Sequence, residues 1–229
     1  MTIEPVAIYH SPLEGKFGLP RQAGLAPSLR GTVDFLPAYR NPDSLRGLEG
    51  FERIWLIWGF SLNAKAPDAS ATVRPPRLGG NERVGVWASR SPYRPNPLGL
   101  SCVKIESVDA AKGIIEVSGA DLADGTPVFD IKPYVPYADA YPGSAAGFVD
   151  NKAWEPLEVH IPEELAAAFS ESELQALKEI LSQDPRPQYQ KDPAREYGLS
   201  YCGRNVVFCV EGTRLSVCRV CDLSCASKQ

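Results

Sequence analysis

Residues 83–101 read RVGVWASRSPYRPNPLGLS. Val84 and Val86 alternate with Gly85 and Trp87, the period-2 pattern of a β-strand. Pro92, Pro95 and Pro97 then exclude a helix or a central strand over Arg90–Pro97. Each proline also biases the residue before it (Ser91, Arg94, Asn96) towards extended backbone. From Leu98 an extended segment resumes through Leu100, Cys102, Val103 and Ile105. A strand, a stiff loop and a strand predict a mainly β chain in which Arg90, Tyr93, Arg94 and Asn96 form a nearly fixed array. Cationic and aromatic groups on so constrained a loop suit a binding site. The plain alternative is a proline-rich surface turn.

Outward from this stretch the same character holds. Upstream, IEPVAIY (3–9) and GTVDFLP (31–37) read as strands, separated by the turn-rich loop SPLEGKFGLPRQAGLAPS. Within that loop Pro20 restrains Arg21 and Gln22, groups able to grip a carboxylate or the edge of a base. NPDSLRGLEGF follows, with Asp43 or Ser44 as the expected N-cap of one helical turn. FERIWLIWGF (51–60) reads as a buried strand, with Trp55 and Trp58 in its core. Downstream, strands over 101–108 and 114–119 make a hairpin with its turn at AAKG. Val128–Ile131 reads as a short strand stopped by Pro133, with Asp130 and Lys132 on one face and Phe129 and Ile131 on the other. A carboxylate and an ammonium projecting together resemble a site; a simple surface ion pair is the plain alternative.

Beyond residue 150 the pattern changes. WEPLEVHIP leads into PEELAAAFSESELQALKEILSQ, where Leu174, Leu177 and Leu181 fall at helical spacing behind a Ser170-x-x-Glu173 capping box. NVVFCVEGTRLSVCRVCDL reads as a closing hairpin turning at Glu211-Gly212-Thr213. The division expected is therefore a β domain over 1–150 and a small α+β domain over 151–229.

The totals bound the function. The chain has 229 residues, 44% hydrophobic and 23% charged, which is globular composition. No apolar run approaches a membrane span, and the opening MTIEPVAIYHSPLEGK has no basic region followed by an apolar one, so a cytoplasmic location is expected. The six cysteines are then read as thiols rather than a disulfide framework. Cys218 and Cys221 would point to opposite faces of a strand, so no metal is expected there. Net charge is −4, against a generally basic coat, yet residues 65–104 carry seven Lys/Arg against two acids. A basic patch on an acidic protein suits a polyanion docked at one face. There is no G-x-G-x-x-G after a strand, no Walker loop, no H-E-x-x-H and no G-x-S-x-G, and only two histidines, His10 and His160. Chemistry would run on Arg, Asp, Lys, Tyr and backbone groups, which favour orientation over hydrolysis.

Gly18-x-Pro-Arg-Gln-x-Gly-Leu25, Thr72-Val-Arg-Pro-Pro-Arg-Leu-Gly-Gly80, Ser89-Arg-Ser-Pro-Tyr-Arg-Pro-Asn-Pro-Leu-Gly-Leu-Ser101 and Asp124-Gly-Thr-Pro-Val-Phe-Asp-Ile-Lys-Pro-Tyr134 together resemble the TrmO (TsaA-like) family. The resemblance also takes in Arg46-Gly-Leu-Glu49 and Asp184-Pro-Arg-Pro-x-Tyr-x-Lys191. It implies a single-sheeted β-barrel that binds S-adenosyl-L-methionine, a small C-terminal domain and a homodimer. The implied reaction methylates N6 of threonylcarbamoyladenosine beside the anticodon of threonine tRNA. Family cofactor positions fall on Pro20, Arg21, Gln22, Arg90, Leu100, Val128, Phe129, Asp130 and Ile131. Ser61 and Leu62 occupy a further cofactor position that is usually His-Gln in the family. Asp130 is the candidate proton acceptor, with Lys132 and Tyr134 orienting the substrate. Arg74, Arg77, Arg83, Arg94 and Asn96 are the candidate contacts to the tRNA anticodon loop. Two readings stay open beside this one: a non-catalytic RNA-binding barrel, and a methyltransferase for another nucleotide-like acceptor.

Overall fold

In this computed structural model, which describes residues 2–63, 71–75, 82–150, 155–187 and 192–223, the first half of the chain closes on itself. Strands β1 (Ala7–His10), β2 (Arg30–Phe35), β3 (Arg53–Gly59), β4 (Thr72–Val73), β5 (Val84–Gly85), β6 (Leu98–Asp109), β7 (Ile114–Ser118) and β8 (Thr126–Pro133) follow in order. Six of them form a closed antiparallel barrel, β1-β2-β7-β6-β3-β8, while β4 and β5 pair apart as a hairpin. Closure removes the unpaired edges that an open sheet of this size would expose. Alternation sends Tyr9, Val33, Ile54, Leu56, Trp58, Val103, Ile115, Val117 and Val128 into the barrel core. The expected single-sheeted β-barrel is thus what the chain forms.

The second half begins with the four-residue helix α1 (Pro136–Asp139). After it come β9 (Glu158–His160), helices α2 (Glu163–Ala166) and α3 (Glu171–Ser182), and strands β10 (Tyr197–Tyr201), β11 (Arg204–Glu211) and β12 (Arg214–Asp222). The sheet order is β10-β11-β12-β9, with β9 parallel to β12. Helix α3 carries the full capping box at Ser170 and Glu173 and buries Ala176, Leu177, Ile180 and Leu181 against this sheet.

Several local expectations change. The extended run from Val84 stops at Gly85, and Val86–Ala88 is a 3-10 turn that leaves Trp87 exposed. Asn41, not Asp43 or Ser44, caps the turn at Pro42–Leu45, its side chain accepting from the Asp43 amide. Trp58 is core, but Trp55 lies on the outer face, half-buried, with its indole N–H donating to Asp139 at 3.1 Å. Strand β10 was not expected. In β12 the pairs Phe208↔Val217 and Val206↔Val220 leave an extra residue between them, and both valines pack on the core. That bulge puts Cys218 and Cys221 on the same outer side rather than on opposite faces. Among the described residues no three His, Cys, Asp or Glu side chains converge as a metal site would need.

Candidate functional site

The loop 11–29 that carries Pro20, Arg21 and Gln22 is anchored at both ends of the molecule. Leu13, Ala26 and Leu29 are fully buried in the core of the second half, with Phe17 and Leu19 packed beside them. Gly18 sits at φ +88, and a Cβ there would lie 2.2 Å from Leu199 Cδ1, so this close approach needs glycine. Glu179 of α3 accepts from both the amide and the hydroxyl of Ser28 at 2.8 Å. On the barrel side the Gly24 amide donates to the Gly119 carbonyl at 2.8 Å. The loop therefore has a fixed shape despite its lack of regular structure.

Its tip meets the central stretch. The Arg90 guanidinium donates to Gln22 Oε1, joining the two motif loops that lie far apart in sequence. Beneath them is Asp121, whose carboxylate accepts from Ser101 Oγ at 2.5 Å. Ser101 in turn accepts from the buried Trp58 indole N–H at 2.9 Å. Desolvation pushes the Asp121 carboxyl above its ordinary range, opposed by the Ser101 hydroxyl, the amides of Asp121 and Ala23, and the charge of Arg90. Arg21 leaves this cluster: its guanidinium donates to the Asp184 carbonyl at 3.3 Å, and burial holds it below its ordinary pKa.

A second group lies on the outer face of the barrel. Leu100, Ile57 and Asp130 are register partners across β6, β3 and β8, as are Cys102, Trp55 and Lys132 one row on. Asp130 and Lys132 form an ion pair at 3.0 Å, with 49% and 64% of their side chains exposed. The Tyr134 ring packs against Trp55, centroids 5.8 Å apart. Ile57 pairs with Asp130 but Trp58 pairs with Val128, so Phe129 is the extra residue of a bulge. Phe129 therefore does not share a face with Ile131, which faces inward beside Leu56; it lines an open hollow of about 510 Å³ with Phe60, Ser61, Asn96, Pro97 and Leu98. Val128 points into the barrel core. Leu62 is exposed and does not line the hollow.

The cationic residues of the β4–β5 hairpin and the loop after it are placed as follows. Arg74 is exposed. Arg83 donates to Thr72 Oγ1 at 2.9 Å. Arg94 donates to the Ser89 carbonyl at 3.0 Å and lies over the exposed Trp87 ring at 5.3 Å. Arg77 lies outside the described residues. The chain thus brings together Gln22 with Arg90 and Ser61 with Asn96 and Phe129, and sets Leu100 and Asp130 in one row on either side of Ile57. Sequence reading missed Asp121 and Trp87; the signal for Asp121 was a carboxylate among the small and apolar residues that follow the strand over 114–119.

Comparison with known proteins places this geometry in a lineage. Residues 8–140 match the family model of the tRNA-methyltransferase O N-terminal domain, and residues 154–223 that of the TrmO C-terminal domain. The chain is 38% identical over 206 residues to the tRNA (adenine(37)-N6)-methyltransferase of Escherichia coli, covering 86% of each. It is 40% identical over 205 residues to a putative S-adenosylmethionine-dependent methyltransferase of Pseudomonas aeruginosa, covering 86% of this chain and 87% of that one. A crystal structure of TrmO from Pseudomonas aeruginosa superposes with a TM-score of 0.77 at 31% identity, covering 96% of this chain and 98% of that one. The chain belongs to the tRNA-methyltransferase O family.

Proposed function

We propose that this protein is an S-adenosylmethionine-dependent tRNA methyltransferase that methylates N6 of threonylcarbamoyladenosine beside the anticodon. The observation that carries the reading is the junction of two proline-stiffened motif loops at Arg90 and Gln22, in a chain of this family. The residues present fit the cofactor. The Arg90–Gln22 pair offers donors to a carboxylate, and Phe60, Phe129, Pro97 and Leu98 offer an apolar wall to a purine. When bound, S-adenosylmethionine supplies an electrophilic methyl group on a sulfonium.

The chain's own residues then have four tasks. Arg90 and Gln22 hold the polar end of the cofactor in place, which turns a bimolecular encounter into an oriented one. Asp130, on the outer face of β8, would accept the proton that the ureido-type nitrogen gives up. Lys132 and Tyr134 orient the modified base, with Lys132 held by its ion pair to Asp130 and Tyr134 by the Trp55 ring. Arg74, Arg83 and Arg94 meet phosphates and splayed bases of the anticodon loop, and Trp87 adds a face for base stacking.

A homodimer fits this arrangement, because Leu98 and Leu100 remain exposed at 38% and 58% on the outer face of β6, separated from Asp130 by the intervening strand β3. A second copy covering that face would enclose the hollow and exclude water from it. Work on tRNA puts the protein in the cytoplasm. The test is mass spectrometry of tRNA nucleosides from cells with and without the gene. Threonylcarbamoyladenosine should lose its methylated form in the deletion and regain it on complementation; an unchanged nucleoside profile would refute the assignment.

A further inference from the structure

Two thiols meet on the outer side of the second sheet. Phe208 pairs with Val217 and Val207 with Arg219, so Cys218 is the extra residue of the β12 bulge and has no register partner on β11. Phe208 and Val217 point into the core, which turns their neighbours Cys209 and Cys218 to the outer side. There the Cys218 Sγ lies 3.5 Å from the Cys209 Sγ. One carbonyl is within reach of both thiols: Ser216 O lies 3.5 Å from Cys218 Sγ and 3.9 Å from Cys209 Sγ. Both are free cysteines, Cys218 exposed and Cys209 half-buried, so a small oxidant reaches the first and finds the second in contact with it. Cys221 is directed elsewhere, its Sγ lying 3.9 Å from the Asn205 carbonyl. A disulfide needs its sulfurs at about 2.05 Å, a closure that rotation of the exposed Cys218 side chain can supply. Desolvation, the adjacent Cys209 thiol and the charge of Glu196 hold the Cys218 thiol above its ordinary pKa, so its thiolate is scarce at neutral pH. Glu196 is itself paired with Arg219 at 3.4 Å.

We propose that Cys209 and Cys218 form a peroxide-sensitive dithiol that closes reversibly to a disulfide between β11 and β12. The Cys218 thiolate attacks one oxygen of hydrogen peroxide; the S–O bond forms as the O–O bond breaks, and the departing hydroxide takes up a proton to leave as water. Cys209, giving up its proton, then attacks the Cys218 sulfur. The S–S bond forms as the S–O bond breaks, and the oxygen leaves as a second water. Two thiols lose two electrons and two protons in all, and one peroxide gains them. Glutathione or another thiol restores the pair by thiol–disulfide exchange. In a reducing compartment such a disulfide is transient, which suits a redox-sensing site and not a structural staple. The proposal stands apart from methyl transfer, since neither cysteine belongs to the cofactor or RNA residues named above.

The test treats the purified, fully reduced full chain with hydrogen peroxide, blocks the remaining thiols and reads a tryptic digest by mass spectrometry without reduction. Cleavage after Arg204, Arg214 and Arg219 puts Cys209, Cys218 and the later cysteines on separate peptides, 205–214, 215–219 and 220–228. Peptide 205–214 joined to 215–219, two hydrogens lighter than their sum, should be the main disulfide product. It should disappear on treatment with dithiothreitol and form faster as pH rises. Cys218→Ser should leave Cys209 as a blocked thiol. Cys209→Ser, with no second thiol to trap the sulfenic acid, should carry Cys218 on to the sulfinic acid, two oxygens heavier. Cys218 oxidised without the cross-link in the wild type, or joined chiefly to peptide 220–228, would overturn the proposal. So would a wild-type pair that stays reduced under peroxide that oxidises free glutathione.

Discussion

At Gly99 the backbone of β6 passes directly beneath the Trp58 indole, with no room for a methyl group between them. The contact matters because the same indole donates to Ser101 and edges against Phe60 at 4.4 Å, linking the barrel interior to the rim of the hollow. Gly99→Ala should cost about 1–3 kcal/mol, the usual penalty of overpacking, read as a lower denaturant midpoint with an unchanged slope. A shift in indole fluorescence should accompany it. A variant as stable as the wild type would show that the ring yields at no cost. The sequence hinted at this much: a glycine inside a strand pattern marks a close backbone approach. It did not say what approaches, because Trp58 comes from a strand far upstream and only barrel closure brings the two together. Arg21 is the converse case. Its motif placed it beside Gln22, but alternate side chains of a stiff loop point to different sides, and Asp184 was there to receive it.

Among the elements, α3 is the one whose ends and face were legible throughout. Its capping box can be written from Ser170 and Glu173 alone, and its apolar stripe from Leu174, Leu177 and Leu181. The Ser170 amide and hydroxyl hold the Glu173 carboxyl below its ordinary range. Their contribution to stability is therefore fully present above the ordinary carboxylate pKa and is lost as pH falls through the lowered value in the folded protein. Ser170→Ala should destabilise by about 1 kcal/mol at neutral pH and flatten that part of the acid limb, both measurable by denaturant titration at several pH values. Equal losses at neutral and at acid pH would contradict this account of the cap. The strands were less legible. A bulge leaves no mark in a hydrophobic alternation, so Phe129 and Cys218 were assigned to the wrong faces. Strand β10 was hidden by Gly198, whose missing side chain leaves the space filled by the Asn205 amide, with a Cβ only 2.8 Å from its Oδ1. The rigid proline loop after Arg90 was legible because proline acts on the backbone locally, whatever the tertiary context.

Over the whole molecule, the second half does more than follow the barrel. Its core takes in Leu13, Ala26 and Leu29, so the loop bearing Gln22 folds against both halves at once. We infer that the α+β region proposed for residues 151–229 positions the cofactor loop from behind, while the basic hairpin meets RNA in front. Removing the grip of Glu179 on Ser28 tests this at a distance from the chemistry. Glu179→Ala should raise KM for S-adenosylmethionine severalfold and lower stability by roughly 1–3 kcal/mol, since it leaves a partly buried amide and hydroxyl unpaired. A drop in stability with KM unchanged would confine the second half to a structural role. The most direct test of the central claim is a single-turnover reaction of the purified protein with isotope-labelled S-adenosylmethionine and a tRNA carrying threonylcarbamoyladenosine, followed by nucleoside mass spectrometry. The label should appear as a methyl group on N6 of that nucleoside, at a rate that falls at least tenfold in Asp130→Asn. Transfer at full rate by Asp130→Asn would remove Asp130 as the proton acceptor, and a wild-type protein that binds the tRNA and leaves that nucleoside unlabelled would contradict the account.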